Sequence, residues 1–392
     1  MTPAARLQAA IELLDEIVAA ARTAGPAADT LIGRYFKTRR YAGSKDRRAV
    51  RELVYRAIRR SGERPASGRA AMLGLAEDEP DLLARFDGSA HGAEPAGESE
   101  PRAPASLAPA WLSERFDPLI GADELPALLG RAPLDLRVNR LRGTVDDALA
   151  AFPDAERTAL SPLGLRLPEG VQVMETDAYR TGLVEVQDEG SQLVALACGA
   201  EPGMAVVDLC AGAGGKTLAL AAEMEDRGAI VAADADRVRL QRIKPRLERA
   251  GVGIATPCLL DPGRELERFD GGAADVVLVD APCSGTGTWR RNPEARWRIT
   301  PERLERLAEV QARLLHVAAQ LVKPGGVLVY AVCSLLAEEG RGRAEAFGRS
   351  HSSFVPESLP IKGGRSAGAG RILSPAHDAT DGFFVARWRA PC

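Results

Sequence analysis

Two cysteines in the sequence occupy positions where a thiol can act as a nucleophile. Cys283 lies in the segment DAPCSGTG and Cys333 in YAVCS, and each segment follows an apolar run typical of a buried strand. A cysteine becomes reactive where its surroundings are electropositive and partly exposed. Most free cysteines are instead small core residues. The position of these two, directly after strands, favours a chemical role.

A glycine-rich segment, Asp208 to Thr217 (DLCAGAGGKT), follows another strand-like run. Its glycines allow a tight turn and a close approach of the backbone to a ligand. Cys210 stands where a phosphate-binding P-loop requires glycine, and the segment is too short for the dinucleotide pattern GxGxxG. Asp234 and Asp261 follow the next two runs, where carboxylates can accept hydrogen bonds from ribose hydroxyls and an adenine amino group. The sequence therefore predicts a nucleoside pocket.

Strand-like runs alternate with helix-like segments from residue 184 onward. The runs are 205–209, 229–233, 254–260, 275–279 and 326–332, and the helix-like segments include 216–226, 236–250 and 301–322. This alternation predicts an α/β fold with a doubly wound parallel sheet and helices on both faces. Ligands bind such sheets at the carboxyl ends of the strands. The glycine segment, the aspartates and the cysteines should therefore meet at one edge.

The amino-terminal part is helical and basic. Apolar residues recur at three- and four-residue steps, and between residues 34 and 64 twelve Lys or Arg stand against three acids, a net charge of +9. Such a field attracts polyanions, although a solvated helix face is the competing interpretation. The predicted RNA contacts in this part are Arg39, Arg40, Lys45, Arg47 and Arg48.

A second basic segment follows DAPCSGTG. It runs from Trp289 to Arg298 (WRRNPEARWR) and combines four arginines with two tryptophans. These groups can clamp phosphates and stack on unpaired bases, and we predict RNA contacts by Arg290, Arg291 and Asn292. The alternative is a helix start whose tryptophans belong to the core.

The 392 residues suit more than one domain. The predicted divisions are a helical module at 1–86, a flexible linker rich in Gly, Pro and Glu at 87–104, a small α+β domain at 105–183 and the α/β domain at 184–392. Six cysteines without a CxxC pair and four histidines argue against a zinc site or a disulfide framework. No apolar run is long enough to span a membrane, and we expect a monomeric, cytoplasmic protein without a metal.

Several segments together resemble the Fmu/Sun family of RNA (cytosine-5) methyltransferases. They are VEVQDEGSQL, DLCAGAGGKT, DAPCSGTGTWRRNP, KPGGVLVYAVCS and the closing DGFFV, and the resemblance covers 184–389. The amino-terminal RYFKTRRYAGSKDRRAVRELVYR is similar to the NusB-like RNA-binding helices of that family. The resemblance implies a class I methyltransferase fold, S-adenosylmethionine as methyl donor and an RNA substrate. Small-subunit ribosomal RNA is expected, and transfer RNA is the alternative.

The resemblance also implies roles for individual residues. Cys333 would add to carbon 6 of cytosine, so that carbon 5 can attack the sulfonium methyl group. Cys283 would assist proton removal and product release. Asp280 would hydrogen-bond ring nitrogen 3 and the amino group, and Lys216 would activate the thiol or orient Asp280. The implied donor-binding residues are Cys210, Ala211, Gly212, Ala213, Gly214, Gly215, Lys216, Asp234, Asp261 and Asp280.

Two residues depart from the family pattern, and several alternatives stay open. Val332 replaces the common threonine and Ala213 the common proline, and neither change removes a reacting group. The order of the cysteines is not settled by the residues, because DNA cytosine-5 enzymes use a Pro-Cys nucleophile, which would be Cys283. Adenine amino methyltransferases carry an aromatic residue at that place. A catalytically silent RNA-binding assembly factor and a nucleotide-dependent oxidoreductase are the competing functions, and the cysteine pair argues against both.

Overall fold

A computed structural model describes residues 1–23, 25–269 and 271–392. The chain forms two compact units. The first comprises Met1–Phe116, Leu125–Gly130 and Thr288–Pro301, and the second comprises Asp117–Glu124, Arg131–Gly287 and Glu302–Cys392. Within the described ranges no helix combines the length and the apolar composition that crossing a bilayer requires.

The first unit is helical. Its helices are α1 (Pro3–Arg22), α2 (Ala28–Thr38), α3 (Ser44–Arg60), α4 (Gly68–Asp78) and α5 (Ala110–Ser113). Helix α1 begins after Thr2, whose hydroxyl accepts a hydrogen bond from the Ala5 amide. Its apolar face packs on α4, and a Cβ atom at Gly68 would lie 2.2 Å from the Ile11 carbonyl oxygen. Only glycine allows this close approach.

The segment 87–104 belongs to this first unit and packs against it. The Arg69 guanidinium donates to two backbone carbonyls of the segment and forms an ion pair with Glu100. Ala93 and Ala103 are buried. The segment therefore differs from the predicted flexible linker. Its composition favours disorder, but one arginine and a few small buried apolar side chains hold the segment against the unit. The remaining domain boundaries stay a prediction.

The second unit contains a small antiparallel sheet. Its elements are β1 (Leu134–Val138), α6 (Val145–Ala151), β2 (Glu156–Arg157), β3 (Gly164–Leu167), α7 (Asp177–Arg180) and β4 (Val184–Val186), and the strand order is β2-β3-β1-β4. Leu136, Val138 and Val184 are fully buried in its core.

The large sheet and its helices follow in the chain. The elements are α8 (Glu189–Ala197), β5 (Ala205–Leu209), α9 (Gly215–Glu223), β6 (Ala229–Asp234), α10 (Arg237–Leu240), α11 (Ile243–Ala250), β7 (Ala255–Leu259), β8 (Ala274–Asp280), α12 (Pro301–Leu321), β9 (Val322–Val332), α13 (Arg341–Ser350), β10 (Val355–Pro356), β11 (Arg365–Ala367), β12 (Gly370–Leu373), α14 (Pro375–Asp378) and β13 (Phe383–Arg389). The strand order is β11-β12-β13-β9-β8-β5-β6-β7, and β10 pairs with β13.

The centre of this sheet confirms the predicted doubly wound arrangement. Strands β9, β8, β5, β6 and β7 are parallel, and the apolar runs of β8 and β9 are almost completely buried. The antiparallel strands β10–β13 extend the sheet and were not expected from the sequence. The register pairs Leu209 with Val279 and Val279 with Tyr330. The loops after β5, β8 and β9 consequently begin at the same edge.

Candidate active site

The glycine-rich loop between β5 and α9 contains three residues in the left-handed backbone region. Cys210 has a φ of 66°, Gly212 of 59° and Gly214 of 82°. The turn is tight, and apart from its two chain neighbours the nearest described atom to a Cβ added to Gly212 would be the Cys210 carbonyl oxygen, at 4.0 Å. This face of the loop is therefore open. A ligand can approach the main chain there, next to the first turn of α9.

Asp234, at the end of β6, fixes the conformation of this loop. Its carboxylate accepts hydrogen bonds from the Gly212 amide at 2.8 Å and from the Asp236 amide at 2.6 Å, and it is almost fully buried. Both carboxylate oxygens therefore already have protein donors. Asp261 follows β7 and is exposed. The predicted contacts of these two aspartates with ribose and adenine stay predictions.

Lys216 and Asp280 form an ion pair beside the loop. The Lys216 Nζ atom lies 2.7 Å from Asp280 Oδ2. Burial alone would favour the neutral amine, but the Asp280 charge and hydrogen bond prevail and raise the pKa of Lys216 above its ordinary value. Lys216 therefore carries a positive charge. Of its two implied roles, orienting Asp280 corresponds to a contact that the structure contains.

Asp208, the last acid of β5, lies below the same loop and was not singled out from the sequence. The side chain is fully buried, and Oδ2 accepts a hydrogen bond from the Thr217 hydroxyl at 2.6 Å. Burial raises the pKa of Asp208 to about 7, against the opposing effect of the Thr217 hydrogen bond. This carboxyl group therefore titrates near neutral pH.

The two cysteines predicted to act together lie side by side. The Sγ atoms of Cys283 and Cys333 are 3.4 Å apart, and the Gly287 amide donates to the Cys333 carbonyl at 3.1 Å. The hydrogen bond with Cys333, burial and the Cys333 charge raise the pKa of Cys283 well above that of an ordinary thiol. The raised pKa keeps Cys283 as a thiol, and either sulfur atom can donate the hydrogen bond between the two cysteines.

Contacts among the other motifs hold the Cys283 loop in place. Gly287 and Gly382 meet so closely that a Cβ atom on Gly287 would lie 2.1 Å from the Gly382 carbonyl oxygen. The Gly382 amide donates to the Gly287 carbonyl, and the neighbouring Asp381 amide donates to Asp188. The segments DGFFV and VEVQDEGSQL are therefore structural supports of this edge. A further buried carboxylate, Glu339, lies behind both cysteine loops and was also not predicted.

The predicted RNA clamp at Trp289–Arg298 is wrong for its tryptophans and for two of its arginines. Trp289 and Trp297 are 1% and 3% exposed, so neither ring can stack on a base. The Arg296 and Arg298 guanidinium groups donate to backbone carbonyls of the first unit. The alternative of core tryptophans holds, because this segment fills the interior of the helical unit. Arg290 is also buried, so its predicted contact with RNA is wrong as well, whereas Asn292 is exposed.

The basic residues of α2 and α3 divide into two groups. Arg39 lies 3.6 Å above the Tyr35 ring and pairs with Glu12, so it stabilises the unit itself. Arg40, Lys45, Arg47 and Arg48 are exposed. A cavity of about 410 Å³ between the two helices, which we call the α2–α3 groove, is lined by Asp29, Ile32, Gly33, Phe36, Lys37, Arg47, Arg48 and Arg51. This groove combines cationic side chains with an apolar floor.

The sheet, the open glycine loop and the strand-end acids together define an α/β Rossmann-like methyltransferase fold. A family model described as 16S rRNA methyltransferase RsmB/F matches residues 195–389. Ribosomal RNA small subunit methyltransferase B of Xylella fastidiosa (strain 9a5c) is 36% identical over 289 residues, which are 71% of this chain and 68% of that protein. The chain belongs to the RsmB/F family of methyltransferases.

Two further comparisons describe the extent of the similarity. The protein of the same name from Sodalis glossinidius (strain morsitans) is 34% identical over 72% of this chain, and the chain spans 65% of the length of that relative. The crystal structure of PH0851 covers 99% of both chains with a TM-score of 0.77 and 24% identity, which supports the fold. Among the described residues, no group of three or more His, Cys, Asp or Glu side chains could hold a metal ion.

Proposed function

We propose that this protein transfers a methyl group from S-adenosylmethionine to carbon 5 of a cytosine in RNA. The observation that carries the proposal is the pair of thiols, 3.4 Å apart, at the sheet edge that also holds the glycine loop. An N-methyltransferase requires no such pair. A protein that only binds RNA requires neither the pair nor the Lys216–Asp280 ion pair.

The glycine loop and the neighbouring acids suit the donor. The open face at Gly212 permits close contact with the main chain, and the loop residues 210–215 would hold the donor together with Asp234 and Asp261. S-Adenosylmethionine supplies an electrophilic methyl group on a sulfonium sulfur. Asp234 already accepts hydrogen bonds that fix the loop. The proposed hydrogen bonds from the ribose hydroxyls to Asp234 therefore require its buried carboxylate to keep this position.

The thiols and the ion pair can perform the remaining chemistry. The Cys333 thiolate adds to carbon 6 of cytosine, and the electron density released into the ring makes carbon 5 nucleophilic. Asp280, held by Lys216, accepts from the amino group and stabilises the proton at ring nitrogen 3. After methylation, a base from solution accepts the proton of carbon 5, the electrons of that carbon–hydrogen bond form the double bond between carbons 5 and 6, and the electrons of the carbon–sulfur bond leave with Cys333 as a thiolate. Cys283, the protonated neighbour, assists this release.

We propose small-subunit ribosomal RNA as the substrate. Relatives that are 34–36% identical carry that substrate in their names. The α2–α3 groove offers a surface for the RNA backbone, with the exposed Arg40, Lys45, Arg47 and Arg48 beside it and Arg291 and Asn292 as further candidates. A monomeric state and a cytoplasmic location remain predictions from the sequence.

The test of this function is a transfer assay. The purified protein is incubated with methyl-labelled S-adenosylmethionine and, separately, with small-subunit ribosomal RNA and total transfer RNA that lack the modification. We expect label in ribosomal RNA and 5-methylcytidine after nuclease digestion. Label in transfer RNA would show that transfer RNA is the substrate, and label in methyladenosine would show that the protein methylates adenine. RNA binding without methyl transfer would identify an assembly factor.

The RNA surface is tested by the salt dependence of binding. Arg47→Ala and Arg48→Ala together should reduce the slope of log affinity against log salt by roughly 1 to 2, since each phosphate contact releases about one counterion. Arg22→Ala, which removes an exposed arginine at the end of α1, should leave the slope unchanged. Equal slopes in the double variant and the unmodified protein would show that RNA does not use the groove.

A further inference from the structure

Glu339 is a buried carboxylate in the loop between β9 and α13. Its side chain is 1% exposed. Four donors fill the sites of its two oxygens: the Ser284 amide at 2.9 Å, the Ser284 hydroxyl, the Ser334 hydroxyl at 2.6 Å and the Gln311 side-chain amide at 3.0 Å. All four donors are neutral. A buried carboxylate without a cation is costly, so its hydrogen bonds must compensate for desolvation.

Two of these donors come from the cysteine loops. Ser284 directly follows Cys283, and Ser334 directly follows Cys333. The two serine hydroxyls are also 3.1 Å from each other. The single carboxylate of Glu339 therefore connects the backbone next to one thiol with the side chain next to the other.

Neighbouring groups keep the carboxylate in position. Gln311 of α12 donates to Glu339 and also to the Pro282 carbonyl, the residue before Cys283. The Tyr330 hydroxyl donates to the Glu339 main-chain carbonyl at 2.7 Å. The two hydrogen bonds that Glu339 accepts from Gln311 and Tyr330 are buried, so water does not compete with them.

We infer that Glu339 is a positioning residue that sets the separation of the two catalytic thiols by joining their loops. The inference rests on the proposed function and identifies the part of the protein that aligns its two reacting groups. Glu339 touches neither thiol, and its effect passes through Ser284 and Ser334. Its negative charge also contributes, after the Cys333 hydrogen bond and burial, to the raised pKa of Cys283.

Two substitutions separate the connection from the charge. Glu339→Ala removes all four acceptor bonds. Glu339→Gln keeps an acceptor for the two amide donors and places an NH₂ group at the hydroxyls, which can turn to accept. Glu338→Gln is the control, since it removes an exposed carboxylate one residue earlier.

Kinetics give the first measurement. For Glu339→Ala we expect kcat to fall by about 100-fold with KM for RNA within about twofold, because misplaced reacting groups lose rate and not binding. Glu339→Gln should recover about tenfold of this loss. The pH dependence of adduct release should move to lower pH in Glu339→Gln than in the unmodified protein. The reason is that the Glu339 charge, which contributes to the raised pKa of Cys283, is absent in this variant. Equal kcat in all variants would overturn the inference.

A thiol oxidation assay gives a measurement that does not depend on RNA. Diamide takes two electrons and two protons from a pair of thiols, which become a disulfide while diamide becomes the hydrazine. Peptide mass mapping reports the rate of Cys283–Cys333 disulfide formation. We expect Glu339→Ala to slow this rate about tenfold and Glu338→Gln to leave it unchanged. If the unmodified protein fails to methylate RNA, the proposed function fails, and this assay still decides whether Glu339 aligns the thiols. Should the alanine variant not fold, Glu339→Gln carries both measurements.

Discussion

The Cys283 loop and the segment Trp289–Arg298 are neighbours in the chain, and they use their polar groups differently. In the loop, the Cys283 thiol faces a second thiol while serine and glycine contacts hold the backbone. In the segment, arginines donate to backbone carbonyls and both tryptophans are buried. The difference teaches that an arginine and tryptophan cluster carries little information about function until the partners of its donors are known.

The reason lies in where each group finds its partner. A residue at the end of a parallel strand lies at an edge where side chains from several loops converge, so its type reports on chemistry. An arginine in an irregular segment can reach carbonyls of helix ends, which need donors because their last four carbonyls lack intrahelical partners. Arg296 does this for the end of α3.

The largest expected effect comes from the nucleophile. Cys333→Ala should lower the methylation rate by roughly 10⁴-fold or more, because it removes the thiolate that adds to carbon 6. Binding of S-adenosylmethionine and the thermal midpoint should change little, since the thiol is small. Labelled methyl transfer measures the rate and calorimetry the binding. The removal of the buried Cys198 by Cys198→Ala is the control for loss of a thiol outside the site. Retained activity in Cys333→Ala would transfer the attack to Cys283.

The next effect separates the two cysteines. Cys283→Ala should allow attack by Cys333 but slow release, so turnover falls by about 100-fold and a covalent protein–RNA complex accumulates. A denaturing gel with labelled RNA measures the complex as a shifted band. The double variant Cys283→Ala/Cys333→Ala is the control and should give none. Normal turnover without the band would remove Cys283 from the release step.

The sequence predicted the centre of the fold because buried parallel strands have a strong pattern. Strand β5 has the predicted bounds, and the loops after β5, β8 and β9 meet as expected. The short strands β10–β13 were missed, since two to seven residues with mixed polarity carry no clear period. The antiparallel pairing of β13 with β9 depends on contacts that lie far apart in the chain.

The sequence predicted which side chains come together after the strands, and it missed a side chain that contacts them only through partners. As expected, Cys283 lies beside Cys333 and Lys216 beside Asp280, and the pairing of β8 with β9 brings both pairs to one edge of the sheet. Glu339 was overlooked because an acid in a loop is usually solvated, whereas here the serines and the glutamine around it donate to its buried carboxylate. A sequence signal existed: both cysteines are followed by serine, a residue that donates to buried acceptors.

A stability measurement tests the second region of the comparison, the segment Trp289–Arg298. Burial lowers the pKa of Arg296 to about 9, and its guanidinium donates to the carbonyls of Ile58, Arg59 and Leu107. Arg296→Ala should destabilise the protein by about 3 kcal/mol, because buried carbonyls lose their donors. Arg34→Ala, at an exposed site of the same unit, should cost less than about 0.5 kcal/mol. Denaturant unfolding measures both. If Arg296→Ala changes the salt slope of RNA binding at a temperature at which the variant is folded, Arg296 contacts RNA and the predicted RNA clamp is correct for this residue.

The smallest expected effect concerns Asp208, a buried carboxyl group of β5, the strand whose following loop begins at the same edge as the two cysteine loops. Burial raises the pKa of Asp208 from 3.8 to about 7, so between these values the folded protein binds more protons than the unfolded chain. Stability from this group is therefore complete below pH 3.8 and is lost as the pH rises towards 7. Asp208→Asn stays neutral and should gain on the order of 2 kcal/mol relative to the unmodified protein between pH 5.5 and 7.5.

The control for this prediction is Asp275, whose pKa is shifted in the opposite direction. Ion pairing with Lys323 lowers the pKa of Asp275 in spite of partial burial, so its contribution is constant above pH 5 and Asp275→Asn should differ from the unmodified protein by the same amount at both pH values. Scanning calorimetry of the three proteins measures the midpoints. If Asp208→Asn and the unmodified protein shift in parallel between pH 5.5 and 7.5, Asp208 is already ionised under the glycine loop. This edge of the sheet would then tolerate a buried charge that, among the described residues, has the Thr217 hydroxyl as its one hydrogen-bond donor.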